Sequence, residues 1–190
     1  MSYTDWTSIV NDIPNSKDKV ILELGCGVGT KTLLDNFKFV YSWETYPTDK
    51  WWNYSNENYS KYPNWKGYFK DFDYWGFTET ELLLKGSGKP EYGKVRDLTA
   101  LDKYWESLLS TIDISKIDVA FVDQGFHLRG ETVNRFIELG VPYIFWHDSN
   151  NTTPKDKPYT LYGWDLINIP TPYKVIKTLS GHGTTLISKV

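Results

Sequence analysis

Cysteine is almost missing from this chain. Cys26 is the one example in 190 residues, so no intrachain disulfide can form and a reducing compartment is expected. There is no excess of positive charge either. Lys and Arg total 21 against 24 Asp and Glu, a formal net charge of −3, which gives no global field to draw in nucleic acid. No nucleic-acid partner is therefore expected. No apolar run reaches the roughly 20 residues that span a bilayer, so a membrane is not expected as a partner. The opening MSYTDWTSIVNDIPNSKDK lacks the basic start and apolar stretch of a secretory signal. The expectation is a soluble, cytoplasmic protein whose residues 1–190 form a single domain.

Aromatic residues, by contrast, are plentiful: 17% of the chain, with nine Trp and fourteen Tyr. By direct count, fifteen of the 37 positions from Tyr41 to Phe77 are aromatic. That segment is too apolar to be disordered filler.

Strand-like runs alternate with helical periodicity along the chain. VILEL (20–24), FVYSWE (39–44), IDVAFVD (117–123) and VPYIFWHD (141–148) read as strands, with KVRD (94–97) a weak third in order. Helical spacing appears at 4–13, 30–37, 99–109 and 130–139. The tail offers strand-like YGWDLINI (162–169), YKVIKTL (173–179) and TTLISKV (184–190). The pattern predicts an α/β fold, a doubly wound and mostly parallel sheet with an antiparallel C-terminal edge. Residues 45–93 exceed an ordinary connection and read as an aromatic-rich insert.

The first strand runs into glycines at Gly25, Gly27 and Gly29, then Thr30-Lys31-Thr32. A P-loop would place a second glycine at position 30, and a dinucleotide turn would place its third small residue there. Thr30 departs from both. Glu23 sits just before the glycines, where it would repel a pyrophosphate. A phosphate-free cofactor with an ammonium and a sulfonium would gain from it. Glu44 ends the second strand, in place to accept hydrogen bonds from ribose hydroxyls. Cys26 in this setting reads as a small packed residue rather than a nucleophile.

With these residues in view, ELGCGVG followed by Glu44 resembles the class I S-adenosylmethionine-dependent methyltransferases. The resemblance implies a Rossmann-like fold and S-adenosylmethionine as cofactor, held by Glu23, Gly25, Gly27, Gly29, Glu44 and Asp97. FVDQGFH (121–127) and IFWHDS (144–149) look like the subgroup that methylates hydroxyls of sugars and other small molecules. That likeness implies a small-molecule acceptor, with His127, Asp123 and Asp148 as catalytic residues. It further implies that Asp123, His147 and Asp148 could ligate a divalent cation such as Mg or Mn, an imidazole ligand suiting Mn better. Two alternatives stay open: a P-loop-like nucleotide hydrolase, favoured by Lys31-Thr32, and a catalytically silent cofactor-binding or interaction module.

Overall fold

In the computed structural model, residues 6–45, 50–70, 98–124, 129–149, 163–179 and 183–190 are described. The apolar run VILEL forms β1 (Val20–Leu24), an interior strand of a seven-stranded sheet. β2 (Phe39–Glu44) and β3 (Trp65–Phe69) lie in order on one side of it. On the other side come β4 (Val119–Val122), β5 (Tyr143–His147), β7 (Thr184–Lys189) and finally β6 (Tyr173–Leu179). Strands β1 to β5 pair in parallel, while β7 runs antiparallel to both β5 and β6. The sheet is thus the mostly parallel one that the alternation of strands and helices predicts, with the antiparallel edge at the C-terminal end.

Both faces of the sheet are covered, as parallel strands require. The period-two alternation of β1 sends Leu22 and Leu24 to one face and Ile21 and Glu23 to the other. The Leu22 face packs against α4 (Leu98–Leu109) and α5 (Arg129–Glu138) through Tyr104, Trp105, Leu108, Val133 and Phe136. The Ile21 face packs against Ile9 and Val10 of the short α1 (Thr7–Val10), and against Leu33 and Leu34 of α2 (Thr30–Asn36). Phe121 and Phe145 stack there at 4.3 Å, and Trp6 lies against Phe121.

The structure redraws three elements. The third strand is Trp65–Phe69, and Lys94–Asp97 falls outside the described residues. Much of the presumed insert therefore belongs to the fold, since α3 (Lys50–Tyr59) is the crossover into β3. The strand-like reading of 162–169 fails, because Trp164–Leu166 is a turn of 3-10 helix. The first helix is also shorter than the 4–13 spacing implies. Among the described residues, no helix is long and apolar enough to cross a membrane.

Candidate functional site

Beyond Leu24 the chain bends through the glycines and enters α2. Gly25 has φ +89°, and a Cβ there would stand 2.6 Å from the Asp123 carbonyl oxygen. The turn is therefore pressed against the end of β4. Gly27 faces the Trp51 ring at 3.5 Å, and Gly29 faces the Trp6 ring at 2.7 Å, measured from a Cβ built at each. Gly29 is thus a packing position at the start of α2, backed by the N-terminal segment.

Beneath the turn lies Glu23, 2% exposed. The Gly27 N–H donates to Thr30 Oγ1 (3.0 Å), which commits the Thr30 hydroxyl proton to Glu23 (2.9 Å). From the other side, Trp65 Nε1 donates to Ser42 Oγ (2.9 Å), and Ser42 donates to Glu23 (2.8 Å). Thr30, which departs from both phosphate-binding patterns, is what ties the turn to this carboxylate. Burial raises the Glu23 carboxyl to about 8, against the pull of the Ser42 and Thr30 hydrogen bonds. The sequence places Glu23 beside a cationic ligand; the structure makes it a buried strut under the turn.

Glu44, the last residue of β2, accepts from the backbone N–H of Cys26 (3.0 Å) and of Thr45 (2.8 Å). It joins the end of β2 to the glycine turn. The Cys26 thiol is buried, and burial together with Glu44 pushes its ionisation far up. It remains a protonated packing group, as the sequence reading holds. Lys31 is exposed on α2, where it pairs with Asp35 one turn along and lies over the Tyr62 ring. A phosphate-gripping lysine would have to reach back over the turn, so the P-loop alternative loses its main support.

The ends of β4 and β5 bring Asp123, His147 and Asp148 together. Each can offer one ligand atom within 4.8 Å of the others. Arg129, the first residue of α5, enters the same space. Its Nη1 lies 3.3 Å from Asp123 Oδ1 and 3.2 Å from Asp148 Oδ2, and its side chain is only 6% exposed. His147 Nδ1 is 3.5 Å from Asp123 and 3.3 Å from Asp148. Burial works against an imidazolium here, but hydrogen bonds to the two carboxylates outweigh it and raise His147 to about 9. For Asp148, burial is likewise outweighed by His147 and Arg129, and its carboxyl falls below the usual range.

Two carboxylates thus face a guanidinium and an imidazolium, with formal charges that cancel. The three residues implied as metal ligands do not fit a divalent cation in this arrangement, because Arg129 stands on both carboxylates. Asp148 itself has φ 59°, and Trp164 Nε1 donates to its carbonyl at 2.9 Å, fixing the bend. Behind Asp123, buried Gln124 accepts from Tyr104 (2.8 Å) and donates to Thr132 (3.1 Å).

The strand ends therefore gather Glu44, Asp123, His147 and Asp148 at one edge, with Glu23 below. His127 and Asp97 lie outside the described residues. Arg129 is the residue that sequence reasoning missed. A signal did exist, because a cation in the first turn of a helix opposes the helix dipole and implies carboxylates that compensate it.

A parallel β3-β2-β1-β4-β5 sheet closed by an antiparallel β7 and β6, with a glycine turn after β1, defines the class I S-adenosylmethionine-dependent methyltransferase fold. Solved structures agree. Fibrillarin from Aeropyrum pernix, with natively bound S-adenosyl-L-methionine, superposes with a TM-score of 0.58 at 10% identity, over 97% of this chain and 75% of that one. A fibrillarin pre-rRNA processing protein from Methanococcus jannaschii gives 0.56 at 13% identity, over 93% and 68%. An O-methyltransferase from Bacillus cereus in complex with SAH gives 0.54 at 13% identity, over 96% and 80%. No family model and no curated protein matches the sequence.

These neighbours correct one expectation. A net charge of −3 does not exclude a nucleic-acid partner, since a pre-rRNA processing protein shares the fold. The physical reason is that net charge is a sum over all faces. Between Lys50 and Lys70 four lysines meet a single carboxylate, Glu57, a local +3 by count. All four lysines are exposed, and they alternate with the half-buried rings of Trp51, Trp52, Trp65 and Tyr68.

Proposed function

We propose that the protein is an S-adenosylmethionine-dependent methyltransferase acting on a hydroxyl group. The observation that carries this reading is the convergence of the glycine turn, Glu44 and the Asp123–Asp148 cluster on one sheet edge. In open α/β sheets that edge, outside the carboxyl ends of the strands, is where ligands bind. The close packing and positive φ at Gly25 leave no room for a larger residue there and keep backbone at the surface of the turn, the kind of cradle a nucleoside needs.

In this reading Gly25, Gly27 and Glu44 hold the cofactor, with Asp97 toward its adenine end. When bound, S-adenosylmethionine supplies a methyl carbon made electrophilic by the sulfonium. The chain's own residues then align the acceptor, exclude water and receive the hydroxyl proton. Asp123 and Asp148 accept hydrogen bonds that orient the hydroxyl. His147, protonated below about pH 9, serves as a donor and not as the base. The proton goes to His127, as the resemblance implies.

A small molecule such as a sugar is the first choice of acceptor. Nucleic acid is a second reading, favoured by the lysines and rings of residues 50–70, since stacking and phosphate contacts suit single strands. A thermal-shift series with S-adenosylhomocysteine, ATP-Mg and NAD tests the cofactor, because a ligand of the native state raises Tm. Transfer of a labelled methyl group to sugars and to RNA, with wild type and His127→Ala, tests the acceptor and the base. A shift with ATP alone would overturn the cofactor assignment. No shift with any of the three would favour the silent module, and undiminished transfer by His127→Ala would remove that residue from the mechanism.

A further inference from the structure

We propose that the Arg129 guanidinium is the resident cation of the Asp123–His147–Asp148 cluster, a positioning residue that excludes divalent metal from this site. The argument starts from space and charge. Arg129 Nη1 sits 3.3 Å and 3.2 Å from one oxygen of each carboxylate. A metal bonded to those same oxygens, at about 2.0–2.2 Å, would lie no more than about 5.4 Å from Nη1. Two such positive charges repel, the more so because Arg129 and Asp148 are largely buried.

Charge counting gives the same answer. Two carboxylates and one guanidinium sum to −1. Adding a divalent ion with Arg129 in place leaves the pocket at +1. Ejecting Arg129 relieves that excess, but the side chain is 6% exposed and is packed at the start of α5. The surrounding structure has no reason to release it. The same guanidinium replaces what a metal would do structurally, holding two carboxylates side by side so that both can face an acceptor. This role is independent of which acceptor is used.

Mn2+ itself is the probe. Titration followed by electron paramagnetic resonance reports the loss of the free aqueous ion's signal, and it needs no turnover. Wild type is expected to show no saturable binding below about 1 mM, and chelator treatment should leave its affinity for S-adenosylhomocysteine unchanged. Arg129→Met, which leaves the carboxylates without their cation, is expected to bind Mn2+ at least about tenfold more tightly than wild type. That gain should vanish in the double variant Arg129→Met/Asp148→Asn.

Micromolar Mn2+ binding by wild type, abolished by Asp148→Asn, would overturn the proposal even if Arg129→Met fails to fold. A folded Arg129→Met that gains no affinity would overturn it as well. Because binding of S-adenosylhomocysteine is measured separately, failure of the cofactor reading would remain distinguishable from failure of this one.

Discussion

Gly25 has less freedom to change than any other residue of the turn. Its φ of +89° is a conformation that side chains resist, and an added Cβ would collide with the Asp123 backbone at 2.6 Å. Gly25→Ala should cost about 1–3 kcal/mol from the backbone alone, with the collision adding to it. Calorimetry should register the loss of stability, and binding of S-adenosylhomocysteine should weaken in parallel. His147 offers a pH signature. Its folded-state value is raised to about 9 from an ordinary 6.5. The stability it contributes is therefore complete below about pH 6.5 and is lost as pH rises through 9. Wild type should exceed His147→Gln in Tm at pH 6, and the gap should narrow steadily toward pH 10. A gap that widens with pH would show that the imidazole is buried neutral.

At the scale of elements, the site depends on how α5 is docked. A Cβ on Gly130 would sit 2.0 Å from the Gly163 carbonyl oxygen, so helix and 3-10 turn meet backbone to backbone. Trp164 in that turn also holds the Asp148 carbonyl. Gly130→Ala should destabilise by about 2 kcal/mol or more, roughly 4–8 °C in Tm, and should disturb the His147 titration by shifting Arg129. The strands β1, β2, β4 and β5 were legible because each is a largely apolar or aromatic run, and β1, β4 and β5 are also bounded by Gly, Asp or Pro. β3 was not. Trp65-Lys66-Gly67-Tyr68-Phe69 carries a lysine and a glycine inside an edge strand that pairs on one side with β2, and its rings reward burial only once α3 covers them. Likewise, 162–169 has strand-like composition, yet its backbone turns at Gly163 (φ 72°) to reach α5.

Over the whole molecule, β6 ends the sheet, and it exposes Val175 at 51% and Ile176 at 41%. An edge with exposed apolar residues invites pairing with another copy. Exposed Lys174 and a register shift between Val175 and Lys177 interrupt that edge, and Lys177 is held by Asp12. Replacing Lys174 and Lys177 by Thr should therefore raise aggregation, seen as increased light scattering on mild heating, with little change in Tm. If scattering is unchanged, the lysines are not what keeps this edge apart. The same scale explains why composition misled on partners: a net charge of −3 coexists with a lysine-rich segment at residues 50–70.

What the sequence determined by itself was the mostly parallel class of the sheet, the strands β1, β2, β4 and β5 and the edge their ends share, because apolar periodicity and glycine spacing act locally along the chain. It also supplied Glu44, Asp123, His147 and Asp148, since chemistry placed at strand ends converges in any parallel sheet. Only the tertiary structure decided that Glu23 is a strut, that Ser42 and Thr30 both donate to its carboxylate while Trp65 holds Ser42, and that Arg129 joins the two aspartates. Those choices pair residues from separate elements, and a buried polar group takes whichever partner the packing brings within about 3 Å.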